Sequence, residues 1–295
     1  MFGFLIDLVL VQVKGILPLF IFPYVYSVFS LAFSALFLHI YRSYRLKPGE
    51  ETNFEFWKEA RRPVASGWDF FARLWYGYEV VGWENFPKTD EAALLICYHG
   101  AVPADINFMY FRTYLETGRQ LYAVTDKFTS KIPFLKSFRE CFLITSANQE
   151  ECLDILNKGG ALVICPGGTF EAQFSDENYD ILWRNRMGFA KVALKANVKV
   201  IPIFTENIRE AFRQLTVGKS FWLKIYELTK LPMIPIYGGF PVKLRTHIGK
   251  PVIPNENDTA EILRDRVTEA MKTLIKENQK LPGNITSALM QRFSK

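Results

Sequence analysis

From Gly15 to Leu38 the chain runs without an Asp, Glu, Lys or Arg. At 1.5 Å per residue, a helix of that length crosses a hydrocarbon core of about 30 Å. This run constrains the fold most, because it calls for a membrane helix at the N-terminal end. It is too long for a signal-peptide core, and Arg42, Arg45 and Lys47 follow it in place of a small-residue cleavage site. The basic flank puts everything downstream on the cytosolic side. Met1 to Val13 is also apolar but carries Asp7, so a single span and a hairpin turning near Lys14-Gly15 both fit, with Pro18 and Pro23 as places for a kink or break. The competing reading is an amphipathic hairpin packed on the domain. Residues 1–46 are expected to form the anchor, 47–74 a linker and helical lead-in, and 75–295 one domain.

The composition supports a large domain, with 49% hydrophobic residues and a formal charge of +6 that suits an anionic partner. With no zinc-finger spacing, RNP-type motif or arginine-rich tract, the basic bias points to a lipid surface and away from nucleic acid. Short apolar runs alternate with longer helical patterns past Thr52, which predicts an α/β fold: a central, mostly parallel sheet flanked by helices. Strands are expected near Tyr78–Gly82, Ala92–Tyr98, Leu121–Val124, Ala161–Cys165 and Val198–Phe204. Helices are expected near Asn107–Thr117, Asn148–Asn157, Asp180–Ala196 and Thr259–Gln279. The second and fourth strands run directly into glycine-bearing turns at their carboxyl ends, where open α/β sheets place their sites.

The first of these turns is Tyr98-His99-Gly100-Ala101-Val102-Pro103-Ala104-Asp105. A hydroxyl that attacks a carbonyl must lose its proton, and histidine is the usual base; a carboxylate nearby can hold the imidazole in one tautomer and stabilise the imidazolium. His99 and Asp105 fit these parts, although Asp105 could serve only as a helix cap, and the pair alone is a weak signal. The second turn is Pro166-Gly167-Gly168-Thr169-Phe170-Glu171. Its glycines let backbone N–H groups approach a ligand or oxyanion, and Glu171 offers a carboxylate to a substrate hydroxyl or to the turn itself. The third element, Val200-Ile201-Pro202-Ile203, reads as a buried strand whose proline suits an edge or a strand end.

These three blocks, in this order, resemble the glycerolipid acyltransferases of the lysophosphatidate acyltransferase type, in particular their monoacylglycerol and diacylglycerol acyltransferase-like branch. The likeness covers roughly Trp75 to Phe293 and includes Lys131-Ile132-Pro133, Phe204-Thr205-Glu206-Asn207-Ile208-Arg209-Glu210 and Tyr237-Gly238-Gly239-Phe240-Pro241. The resemblance implies His99 as catalytic base, Asp105 as its partner, and Gly167, Gly168, Thr169, Phe170 and Glu171 at the substrate. It implies direct transfer to an alcohol with no metal or bound cofactor, acyl-CoA or another acyl lipid being the co-substrate. It also implies an endoplasmic reticulum membrane with the catalytic domain facing the cytosol. Two features depart from the pattern. Five residues separate His99 from Asp105, where the lysophosphatidate enzymes usually have four, and Phe170 stands where many relatives have arginine. An apolar Phe170 favours a neutral acceptor, diacylglycerol or monoacylglycerol, over a phosphorylated one, though Lys127, Lys131 or Arg209 could supply a charge. A lysophospholipid acceptor and a non-catalytic lipid-binding role are the alternatives.

A serine lipase would need a G-x-S-x-G elbow, and the chain has none. Cys97, Cys141, Cys152 and Cys165 form no C-x-x-C pair and read as reduced core residues. His39 and His247 are given structural or interfacial places. The aromatic stretch Phe221–Leu231 reads equally as a core helix or an interfacial segment.

Overall fold

The computed structural model describes residues 2–125, 135–146, 148–215 and 217–293, with side chains from Phe22 onward. Helix α1 (Phe2–Arg45) passes through Lys14-Gly15 and both prolines without a break. The hairpin alternative therefore gives way to one helix about 66 Å long. Its part Phe22–Arg45 is long and apolar enough to cross a membrane, yet it has two faces. Ala35 and Leu38 are buried, Tyr41 packs on Phe56 and Trp57, and Tyr26 stacks on Phe71 with ring centroids 3.9 Å apart. Val25, Phe29, Phe33, Leu36, Ile40 and Tyr44, spaced three or four residues apart, are exposed and form one apolar stripe.

Helix α2 (Lys58–Tyr76) is closed by Gly77 in the left-handed region, whose N–H returns to the carbonyls of Ala72 and Arg73. Asp69 on α2 is buried and is held by Arg73 at 2.9 Å and by Arg112 of α3 (Ala104–Thr117) at 2.8 Å.

The main sheet has seven strands in the spatial order β1 (Glu79–Val81), β9 (Arg245–Ile248), β6 (Lys199–Glu206), β2 (Ala93–Cys97), β5 (Ala161–Ile164), β3 (Tyr122–Val124), β4 (Ile144–Thr145). Every neighbouring pair is parallel except β6 with β9. Ala93, Leu94, Leu95, Ile96 and Cys97 of β2 are all buried, as expected for a parallel strand covered on both faces. Helices α4 (Lys136–Cys141), α5 (Gln149–Asn157), α6 (Gly168–Phe174), α7 (Gly188–Ala196) and α8 (Ile208–Ala211) connect the strands. A small antiparallel pair, β7 (Phe212–Gln214) with β8 (Ile236–Gly238), brackets α9 (Lys219–Thr229). Helices α10 (Ala260–Asn278) and α11 (Ile285–Gln291) close the chain. Caps explain several starts: Asn148 and Glu151 form a capping box on α5, and the Thr259 side chain accepts the Ile262 N–H at the head of α10.

The expected strands are present with ends moved by one or two residues. Two expectations are corrected. The helix predicted over Asp180–Ala196 begins only at Gly188, because Tyr179 and Arg184 take left-handed φ of 60° and 52° and the Leu182 N–H is spent on Glu171. Pro202 lies in an interior strand and not at an edge. The Pro202 carbonyl accepts the Gly249 N–H on the β9 side, where its own missing N–H also points. Pairing on that side stops at Ile248 and resumes only at the isolated bridge Val200–Val252, so the missing N–H falls where the β6–β9 ladder ends. α9 divides its apolar residues: Tyr226 packs with Phe174 and Ile234 in a satellite core, while Phe221 and Leu228 are exposed.

Candidate active site

Strands β2 and β5 lie side by side, with Ala93 opposite Ala161 and Ile96 opposite Ile164. The two glycine-bearing turns therefore leave the same edge of the sheet together. Cys97 and Cys165 meet at that edge. Hydrogen bonding to Cys97, then burial, pushes the Cys165 thiol well above its ordinary range, so that sulfur is no ready nucleophile.

His99 is half-buried and its backbone N–H donates to Glu171 Oε2 at 2.9 Å. Its Nδ1 lies 2.7 Å from the Gly100 carbonyl oxygen. Since a carbonyl only accepts, Nδ1 carries the proton and Nε2 is the basic nitrogen. Gly100 is required here, because a Cβ would sit 2.5 Å from Ile208 Cγ1.

Asp105 falls in the first turn of α3, after Pro103, and is only 3% exposed. Burial pushes its carboxyl up to about 7, against the opposing pull of the Thr205 hydroxyl and the backbone N–H of Ile106. Its Oδ1 finds no hydrogen-bond donor among the described residues. Thr205 continues a buried polar chain: its hydroxyl is 2.8 Å from that of Thr246, which is 2.9 Å from the Tyr78 hydroxyl.

Glu171 has no exposed surface. Its two oxygens accept the N–H groups of His99 and Leu182, each at 2.9 Å, and burial pushes its carboxyl up to about 7. Both oxygens are thus engaged by backbone N–H groups of the fold, one at each neighbouring segment. Gly167 has no room for a Cβ because the Glu171 side chain occupies the space. Gly168 sits at φ 49° and its N–H donates to the Cys165 carbonyl at 3.0 Å, so that N–H is not aimed at an oxyanion.

Arg209, on α8 just past the end of β6, is 3% exposed. It donates to the carbonyls of His99 (3.0 Å), Glu171 (2.8 Å) and Ser175 (2.6 Å) and to the Tyr98 hydroxyl. It cannot serve as the substrate charge for which it was a candidate. With Glu171 holding the His99 N–H and Arg209 its carbonyl, the histidine's backbone is gripped on both sides. Lys127 and Lys131, the other candidates for that charge, lie outside the described residues. His39 is exposed, and His247 is nearly buried on β9 with its Nε2 3.6 Å from Glu206 Oε2.

Thr169 and Phe170 are the half-buried side chains of the second turn. Thr169 Oγ1 is 3.2 Å from the Tyr226 hydroxyl, and the Phe170 ring packs on Phe174 and Tyr226. A charge stands beside this apolar ring, from a residue not among the expected candidates: the Arg184 guanidinium lies 4.3 Å from its centre. Nothing in the sequence pattern pointed to Arg184 or to Leu182. The position of Arg209 just past a third interior strand was a usable signal.

Comparisons with known proteins identify the family and the fold. The diacylglycerol acyltransferase family pattern matches residues 111–240. The mouse protein described as "DGAT1/2-independent enzyme synthesizing storage lipids" is 44% identical over 280 residues, covering 95% of this chain and 83% of its own length. The human protein of the same description is 44% identical over 278 residues, covering 94% and 84%. Among solved structures, the 1-acyl-sn-glycerophosphate acyltransferase PlsC of Thermotoga maritima superposes with a TM-score of 0.59 at 19% identity, over 90% of this chain and 98% of that one; at that identity the likeness speaks for the fold. Identity of this extent to the storage-lipid enzymes, carried on an acyltransferase fold, makes the chain a member of the glycerolipid acyltransferase family and an enzyme.

Proposed function

We propose that the protein transfers a fatty acyl group to the free hydroxyl of diacylglycerol, with monoacylglycerol as a further acceptor, using His99 as general base and Asp105 as its partner. The observation that carries this reading is the fixed tautomer of a backbone-clamped histidine: Nδ1–H is committed to the Gly100 carbonyl, which leaves Nε2 as proton acceptor. The acceptor oxygen attacks the acyl carbonyl as its proton passes to Nε2. The tetrahedral intermediate collapses, and the imidazolium returns the proton to the departing thiolate or alkoxide. Asp105 stabilises that imidazolium when ionised. Glu171, Gly167 and Gly168 shape the turn, and Thr169 and Phe170 border the substrate. The exposed stripe of α1 faces lipid in the endoplasmic reticulum membrane, with the domain on the cytosolic side.

The neutral acceptor is supported by the storage-lipid description of the relatives. Phe170 no longer supports it on charge, because Arg184 lies over the ring. That cation favours a second reading, a lysophosphatidate acceptor. The two separate in membranes containing the protein and labelled acyl donor, offered diacylglycerol or lysophosphatidate at equal concentration. Faster labelling of triacylglycerol is expected, and faster labelling of phosphatidate would establish the second reading instead.

A further inference from the structure

The segment between α6 and α7 is anchored at Leu182, whose N–H meets Glu171, and at Trp183, which is buried against Phe189 with ring centroids 5.5 Å apart. The next residues return to the surface carrying two exposed guanidinium groups. Arg184 stands over the Phe170 ring at 4.3 Å, and Arg186 donates from Nη1 to the Pro166 carbonyl at 2.9 Å. The two cations thus flank the far and near ends of the Pro166–Glu171 turn. Arg186 is close enough to Glu171 to pull on its carboxyl. Among the described residues, no carboxylate lies within ion-pair distance of either guanidinium. Arg184 also holds a left-handed φ of 52°, a conformation that a long side chain adopts at a cost.

A pair of supported, uncompensated guanidinium groups on the Pro166–Glu171 turn, whose Glu171 holds the His99 N–H, is a receptor for a multivalent oxyanion. We infer that Arg184 and Arg186 bind the phosphate of the acyl donor. This rests on the acyl-transfer reading above. A diacylglycerol acceptor has no anionic group, whereas the activated donors available to such a reaction, a coenzyme A thioester or a phospholipid ester, both carry phosphate. The aromatic face of Phe170 holds the Arg184 guanidinium in place without neutralising it.

The test uses the full chain in detergent–lipid micelles. Arg184→Asn removes the charge while tolerating the left-handed backbone, and Arg184→Lys keeps the charge. Initial rates are titrated in one arm with acyl-CoA, in a second with a phospholipid donor, and in both with diacylglycerol. In the arm that supports turnover, Arg184→Asn is expected to raise the donor KM about tenfold, the loss of one charge-assisted contact, leaving the diacylglycerol KM within about twofold. Arg184→Lys should recover part of the loss. A donor KM unchanged in both arms, or a change confined to the acceptor titration or to lysophosphatidate, would overturn the assignment.

A binding readout separates this inference from the catalytic one. Coenzyme A, and an ether phospholipid that cannot donate, are titrated against His99→Ala and against His99→Ala with Arg184→Asn. Weaker binding of either probe to the doubly substituted protein supports the site even if His99 proves not to be the base. Equal binding of both probes by the two proteins refutes the site even if it is.

Discussion

Replacing Glu171 with Gln distinguishes a carboxylate that holds the catalytic turn from one that binds substrate. The side chain is wholly buried, and each oxygen accepts one backbone N–H, from His99 and from Leu182. Gln has nearly the same shape but only one acceptor oxygen, so one of the two buried N–H groups must face an NH2 donor. An unsatisfied buried donor costs about 1–3 kcal/mol. At about 2–4 °C per kcal/mol for a large domain, the midpoint of that range lowers the melting temperature by roughly 6 °C. Truncation to Ala strands both N–H groups and should cost about twice as much. The displaced end also matters for rate, because His99 carries the base on the same peptide unit. Thermal unfolding of the purified protein, with acyl-transfer kinetics below the transition, measures both effects. A fall in kcat together with the stability loss, at an acceptor KM near that of the unchanged protein, is the expected result. Wild-type stability in Glu171→Gln with a raised acceptor KM would refute the reasoning and return Glu171 to the substrate.

Other consequences follow from the same geometry. Asp105 is protonated up to about pH 7 when folded but only to about 3.8 otherwise, so the folded chain holds a proton that the unfolded chain has released throughout that window. Stability from this group is greatest below the lower value and falls as pH rises to the higher one, by on the order of 4 kcal/mol at about 1.4 per unit. Asp105→Asn should therefore flatten the decline of melting temperature between pH 4 and 7, and an unaltered slope would contradict the burial argument. Activity should rise with pH through about 7 as the carboxyl ionises, and Asp105→Asn should shift that limb, because the base then lacks the ionised partner. Arg209→Lys keeps a charge but loses the fork that reaches the His99, Glu171 and Ser175 carbonyls. It should lower kcat by roughly tenfold or more with donor and acceptor KM little changed, and a purely KM effect would place Arg209 at the substrate after all. Phe33→Glu lies on the exposed stripe of α1 and should weaken membrane retention by about 3 kcal/mol if that face meets lipid, whereas unchanged sedimentation with membranes would deny the stripe that role.

The apolar runs at β2 and β5 were legible because parallel interior strands are continuous stretches of aliphatic residues, and each led straight into its turn. What the sequence could not convey is that these strands are neighbours, since adjacency is decided by pairing between residues 68 apart, as Ala93 with Ala161. The grip on His99 depends on still more distant partners, Glu171 and Arg209, which no local pattern joins. Pro202 read as an edge or strand-end residue by a sound rule; it lies in an interior strand, at the point where pairing with β9 stops. The helix expected from Asp180 failed because Leu182 donates its N–H to Glu171 and Arg184 turns left-handed. Tertiary hydrogen bonding and a local turn there override helical periodicity, and they also carry Arg184 over Phe170.

Labelled acyl transfer into triacylglycerol by membranes containing the unaltered protein or His99→Ala, matched for protein level, tests the central claim most directly. Loss of the general base should lower the rate by roughly 100-fold or more. Undiminished labelling by His99→Ala would contradict the assignment of Nε2 as the base.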